Sequence, residues 1–255
     1  MGYVMEDEDD SKDQAYEVEA KADGSMKMKK LVIIPAFNEA ESIIETVKDI
    51  RENAPEFDYV VINDCSKDDT LKICKEEKIK VLDLPINLGI GGAVQTGYVY
   101  AYHQNYDIVV QFDGDGQHDA AFLEDMAKKL VDEDADMVIG SRFIEKQGFQ
   151  SSGVRRIGIK IFSFLSGTLF GKRITDATSG MRMCNRRVIE LFVKDYPRDY
   201  PEPETVCRLL RKRCRVVEMP VQMKERSAGV SSISINRSIY YMIKVTLAIL
   251  IERLR

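Results

Sequence analysis

Asp113 and Asp115, separated only by Gly114, are the residues whose spacing points most directly to chemistry. Two carboxylates this close repel each other unless a cation lies between them. Oxygen ligands suit Mg²⁺ or Mn²⁺, and such ions are commonly held by one or two acids together with substrate phosphates. The intervening glycine lets a ligand approach the backbone with no Cβ in the way. The pair follows residues 108–112, an apolar run that reads as a buried strand. Both acids are therefore expected at a strand's carboxyl end.

Three more segments fall at equivalent junctions. Pro35-Ala36-Phe37-Asn38-Glu39 follows a strand at 30–34, which Pro35 is expected to end. Asn63-Asp64-Cys65-Ser66 follows a strand at 58–63, and Asn87-Leu88-Gly89 follows one at 80–83. Helices are predicted at 39–53, 68–77, 92–103 and 119–130, started by Asn38, by Asp68 and Asp69, by Gly92 and by Asp119. A fifth strand is predicted at 136–140. This alternation predicts an α/β fold, a mostly parallel, doubly wound sheet with helices on both faces. In such sheets ligands bind beyond the carboxyl ends of the strands, which is where the four segments converge. Phe37, outside its strand, is expected to wall a flat base. Asp64 has two readings, ligand contact or a cap for the next helix. Gly89-Ile90-Gly91-Gly92 is not a dinucleotide fingerprint, because Val94 stands where the third glycine belongs and the segment follows the third strand. It reads as a tight strand-to-helix turn near the ligand. Beyond 141 the pattern changes to basic, aromatic-containing helices, one strand near 216–219 and a final apolar helix.

The chain has 255 residues, 44% of them hydrophobic and 31% charged, the composition of a soluble globular domain. Its five cysteines form no C-x-x-C pair, and the two histidines complete no zinc pattern, so reduced thiols are expected. The net charge of −5 is unevenly spread. Residues 1–26 carry nine acids and two lysines and read as a disordered extension, whereas 208–255 carry eleven basic and three acidic side chains. The basic end calls for an anionic partner. Nucleic acid is disfavoured, since 208–226 lacks aromatic side chains for stacking. No segment reaches the roughly 18 apolar residues of a membrane span, and the acidic N-terminus argues against a secretory signal. A cytoplasmic location is expected.

Pro35-Ala36-Phe37-Asn38-Glu39, Asp64, Asn87-Leu88-Gly89, Asp113-Gly114-Asp115-Gly116-Gln117-His118-Asp119 and Ser141-Arg142-Phe143 together resemble the inverting family 2 glycosyltransferases of the GT-A fold. Within them the chain is similar to the dolichol-phosphate-mannose-synthase-like branch, over about residues 29–235. The resemblance implies a nucleoside-diphosphate sugar donor, a uridine one, and a polyprenyl phosphate acceptor of the undecaprenyl or dolichyl kind. It implies a base and ribose pocket from Pro35, Phe37, Glu39 and Asp64, with Ala36, Gly89, Asp113, Gly114 and Arg142 also on the donor. It implies Gln117 beside the metal pair Asp113 and Asp115, and Arg226 on a phosphate. The domain is expected to span 27–220, with a phosphate-contact loop and docking helix at 221–255.

Family members that act on hydroxyls carry an acidic base before a helix, where this chain has Glu202-Pro203-Glu204. A polysaccharide or protein hydroxyl acceptor, with Glu202 or Glu204 as base, is thus an alternative, as is a non-catalytic nucleotide-sugar-binding protein. A phosphate acceptor needs no base, since its second pKa of about 6 leaves it anionic at neutral pH. It needs cations, and Arg155 and Arg156 are expected to supply them. Ile157, Ile161, Phe164 and Leu165 recur at helical spacing beside these arginines, the pattern of a helix lying in a membrane surface. Residues 239–255 would form an apolar helix of about 26 Å, marginal for a core of about 30 Å. Docking on the inner face of a membrane, or on a small membrane-protein partner, is expected instead.

Overall fold

The computed structural model describes residues 28–145, 153–198 and 201–224. Seven strands form one sheet in the order β3-β2-β1-β4-β6-β5-β7. They are β1 (Lys30–Ala36), β2 (Phe57–Asn63), β3 (Val81–Asp83), β4 (Ile108–Gln111), β5 (Met137–Ser141), β6 (Arg182–Asn185) and β7 (Val216–Pro220). The helices are α1 (Ile43–Asn53), α2 (Thr70–Glu76), α3 (Gly89–His103), α4 (Leu123–Asp132), α5 (Gly153–Phe170), α6 (Arg186–Lys194) and α7 (Pro201–Arg211).

Strand β1 shows why the chain forms layers. Side chains alternate across a strand, so an uninterrupted apolar run must be covered on both sides. Leu31 and Ile33 of β1 join a core with α3, α6 and α7, whereas Val32 and Ile34 join a second core with α1, α2 and α4. The expected mostly parallel sheet with helices on both faces is what the chain builds.

Four local expectations are corrected. First, β1 does not stop at Pro35 but runs through it, in register with Ile62 of β2. Pro35 is tolerated because its pairing side faces β4, whose ladder with β1 ends at Ile33 and Gln111. Second, Asn38 does not cap α1, which starts at Ile43 with Ser42 before it. Asn38 has φ of 58° and its Oδ1 accepts from Lys67 N at 2.8 Å, so the residue ties two loops together. Third, α3 begins at Gly89 rather than Gly92. Fourth, β6 was not foreseen. It lies antiparallel between β4 and β5, so those two strands are not neighbours. Arg-Met-Cys-Asn is too short and too polar at both ends to show a strand period. Every strand but β6 points the same way, so one edge of the sheet collects six carboxyl ends and one amino end.

The acidic extension 1–26 and the C-terminal segment 225–255, including Arg226 and the apolar stretch 239–255, lie outside the described residues. Among the described residues no helix is long and apolar enough to cross a membrane.

Candidate active site

The four strand-end segments lock into one another. Asp64 N donates to Ala36 O at 2.9 Å, joining the ends of β1 and β2. Buried Asp64 then accepts from Leu88 N at 2.6 Å through Oδ1, and its carbonyl accepts from Asn87 Nδ2 at 2.9 Å. Asp64 therefore organises the start of α3, not of α2, the helix next to it in sequence. The loop after β1 is held across its length. Asn38 N donates to Ser66 Oγ, Glu39 N to Thr70 Oγ1 and Ala40 N to Asp68 Oδ2. Burial alone would raise the Asp68 carboxyl, but the hydrogen bonds from Thr70 and Ala40 outweigh it and hold it below its ordinary value. Phe37, at the crest of this loop, is 43% exposed, an available flat face.

The Asp113–Gln117 turn packs against the same loop. Gly114 O accepts from Ser42 Oγ at 2.8 Å and Thr46 Oγ1 at 3.2 Å. A Cβ on Gly114 would lie 3.2 Å from Pro35 O, so this glycine faces the β1 loop, where a ligand was expected to approach it. Ser42 Oγ also lies 2.9 Å from Glu39 Oε2. Asp115 is buried, and its Oδ1 accepts from Gln117 N at 3.1 Å. Gln117 O in turn accepts from Lys224 N at 2.9 Å, and Lys224 Nζ reaches Asp49 Oδ2 at 3.2 Å. The last described residues before Arg226 are thus fastened to the Asp113–Gln117 turn.

Asp113 is the more open acid, its side chain 35% exposed. Two residues missed in the sequence hold it. His118, buried against the Phe112 ring, accepts from Asp113 N at 3.1 Å through Nδ1. That places its proton on Nε2, 3.6 Å from Asp113 Oδ2. Gly180, two residues before β6, abuts the same carboxylate. A Cβ there would lie 2.4 Å from Asp113 Oδ2, so any larger residue would displace the carboxylate from this position. The reversed direction of β6 delivers Gly180 to the carboxyl end of β4, two residues beyond the Arg182–Gln111 pair. The signal was the Asp176-Ala-Thr-Ser-Gly180 run, whose turn-forming residues precede the unrecognised strand.

Arg142 stands just past β5, on the right edge of the sheet, but its guanidinium is committed elsewhere. It is buried and donates from Nε to Asp176 Oδ2 at 2.7 Å, and from Nη2 to Asp176 Oδ1 at 2.8 Å and Thr178 Oγ1 at 2.9 Å. Burial would raise the Asp176 carboxyl, yet the Arg142 bonds and charge prevail and keep it below its ordinary value. Glu218 of β7 extends the network by accepting from Thr175 N and Asp176 N, both at 2.8 Å.

On the far side, α7 carries Glu202 and Glu204 in its first turn. Glu204 Oε1 accepts from Arg208 Nη2 at 2.7 Å, and Arg208 also lies 2.6 Å from Asp195, so Glu204 is held in an ion pair. Burial pushes the Tyr196 hydroxyl's pKa up, and the Glu202 and Asp113 carboxylates push it further. α3 closes this side, since a Cβ on Gly91 would lie 2.3 Å from the Pro197 and Arg198 carbonyls. Arg155 and Arg156 fall in the first turn of α5, and their side chains lie outside the described residues.

A sequence profile of Glycosyl transferase family 2 matches residues 31–192, which contain all four strand ends and Gly180. The chain belongs to glycosyltransferase family 2. It is 30% identical to the polyprenol monophosphomannose synthase of Mycolicibacterium smegmatis, over 80% of this chain and 80% of that protein. It is also 30% identical to the UDP-N-acetylglucosamine–dolichyl-phosphate N-acetylglucosaminyltransferase of Methanococcus voltae, over 63% of this chain and 71% of that protein. The solved glucosyl-3-phosphoglycerate synthase of Mycobacterium tuberculosis, in complex with Mn²⁺, uridine-diphosphate-glucose and phosphoglyceric acid, shares the fold. It superposes with a TM-score of 0.69 at 17% identity, covering 89% of this chain and 80% of that one. As a family 2 glycosyltransferase the protein is an enzyme, and in open sheets of this kind ligands bind beyond the carboxyl ends of the strands.

Proposed function

We propose that this glycosyltransferase moves a sugar from a nucleoside-diphosphate sugar, a uridine one, to a polyprenyl phosphate, with a divalent cation held at Asp113 and Asp115. The observation that carries the reading is the carboxylate pair at the end of β4, one acid exposed and braced, the other buried. Among the described residues no group of three or more His, Cys, Asp or Glu side chains could hold a metal ion. Two carboxylates, with the Gln117 amide as a third oxygen donor, suit Mg²⁺ or Mn²⁺ completed by phosphate oxygens and water. Such an ion supplies charge neutralisation of the departing diphosphate. Both relatives' names specify a lipid phosphate, and one specifies a UDP-sugar.

The chain's own residues divide the remaining work. Phe37 and the Asp64–Leu88 junction take the base and ribose. The β1 loop, pinned by Ser66, Asp68 and Thr70, keeps that pocket rigid. An acceptor phosphate oxygen attacks the anomeric carbon from the face opposite the diphosphate. The bond from carbon to diphosphate oxygen breaks, and the diphosphate leaves with the electron pair. No general base is required, which agrees with Glu204 being committed to Arg208. Arg155 and Arg156 are assigned to the acceptor phosphate, and Arg226 to a phosphate of the reacting pair. Arg226 is two residues past Lys224, a reach of at most about 7 Å. Arg142 acts from behind, by fixing the 175–180 segment through Asp176.

A hydroxyl acceptor is the second reading, favoured by Glu202 in the first turn of α7, whose carboxylate acts together with that of Asp113 on the buried Tyr196 hydroxyl. Membranes containing the protein, incubated with labelled UDP- and GDP-sugars, decide between them. Label entering an organic-soluble lipid is expected. Label entering only polymer or protein, with Glu202→Gln losing the acidic limb of the pH–rate profile, would establish the second reading instead.

A further inference from the structure

We infer that Arg182 is a positioning residue that couples the two sides of the site, setting the first turn of α7 relative to the Asp113 carboxylate. The inference rests on the reading of that site as a glycosyl-transfer centre.

Arg182 opens β6 and heads the largest fully buried side chains of the structure, at 2% exposure. Burying a guanidinium is costly unless its donors are satisfied. Here four hydrogen bonds engage four of its five N–H donors, and each ends on a neutral oxygen. Nε donates to Ser179 O at 2.7 Å and Nη2 to Ala177 O, both in the segment that leads to β6. Nη1 donates to Glu202 O and, at 2.8 Å, to Thr205 Oγ1, both in α7. Thr205 Oγ1 also lies 2.6 Å from Pro201 O, so its hydroxyl proton is directed back to the helix start. The two segments thus meet on one planar fork, whose donor directions are fixed.

What lies on each side gives the fork its meaning. Gly180 follows Ser179, and Asp113 Oδ2 occupies the space a side chain there would need. Glu202 lies in the first turn of α7, and its carboxylate and that of Asp113 both raise the pKa of the buried Tyr196 hydroxyl. A buried cation facing only neutral oxygens is an inefficient way to stabilise a fold. It is an efficient way to set a separation, because four acceptors on two segments must all be met at once. A lysine offers three donors from one point and cannot span both segments.

The test uses the full chain with UDP or GDP, whichever the wild type binds, and a short polyprenyl phosphate in detergent. Arg182→Lys and Thr205→Val are compared with wild type for thermal unfolding, nucleotide affinity, kcat and acceptor KM. Both variants are expected to bind nucleotide within about threefold of wild type while kcat falls about 10–100-fold, the scale of a 1 Å misplacement. Thr205→Ser, which restores the acceptor, should recover kcat. Should Arg182→Lys fail to fold, the Thr205 pair carries the comparison. A kcat per nucleotide-binding molecule within twofold of wild type, whatever the loss of stability, would overturn the inference. Equal losses of binding and kcat would overturn it as well, by showing a purely structural role. If the wild type transfers no sugar and binds neither nucleotide, the reading of the site has failed, and the inference with it.

Discussion

At the scale of single residues, the two acids proposed to hold the metal are held unequally. Asp115 is buried in its own turn, whereas Asp113 is open and defined by His118 on one side and Gly180 on the other. Asp113→Asn should abolish transfer, because it removes a charged ligand. It should change stability by less than about 1 kcal/mol, since the amide keeps the shape of the group. Unfolding curves and assays with and without a strong chelator check this, and full activity in the chelator would sink the metal assignment. Gly180→Ala is a sharper probe. The added methyl needs the space that Asp113 Oδ2 occupies, so the carboxylate must move. Transfer should fall by at least about tenfold, with metal-dependent nucleotide binding weakened as well, the scale expected when a group of the site shifts by about 1 Å. Unchanged activity would mean that Asp113 is free to reorient.

At the scale of elements, the Arg142–Asp176–Glu218 network joins β5, β7 and the segment leading to β6. Removing one partner of a buried ion pair leaves the other uncompensated, so Asp176→Asn should cost about 3–5 kcal/mol. The pH dependence follows from the lowered Asp176 carboxyl. Its stabilisation is present above its unfolded pKa and is lost as pH falls through the lower folded value. Urea unfolding at pH 7 and near pH 3 should therefore show a larger acid-induced loss for wild type than for Asp176→Asn. Equal losses would show that Asp176 contributes nothing to acid sensitivity. These elements also mark the limits of the sequence. The strand ends were legible because a buried parallel strand is an apolar run and its exit is not, as at Phe112 to Asp113. The brace around Asp113 was hidden because β6 is four residues long and takes its meaning from pairing, not period. Arg142 and Glu204 looked like free site charges, and only the fold shows that Asp176 and Arg208 claim them.

At the scale of the molecule, the described residues include an exposed apolar pair on α5. Ile161 is 44% and Phe164 66% exposed, one turn apart, on the helix whose first turn carries Arg155 and Arg156. Leu165, expected on the same face, is half-buried and packs on the core, as does Phe162 more deeply. If α5 meets the membrane, Phe164→Glu should reduce flotation with anionic vesicles at low salt and change stability by no more than about 0.5 kcal/mol. High salt should weaken wild-type flotation by screening the basic residues. Flotation unaffected by the substitution would place the contact elsewhere.

The reversed strand also constrains how the protein can be made. Residues 30–111 complete β3, β2, β1 and β4 in one continuous stretch, but the outer edge of β4 has no partner until β6 emerges. During synthesis the nascent chain therefore presents Ile108, Val109 and Val110 on an open edge, available to any other extended peptide. Chains released before Arg182 should collect in the insoluble fraction, whereas those ending after Lys224 should not. The strand that braces the site is thus also the stopper that ends the chain's exposure to its neighbours.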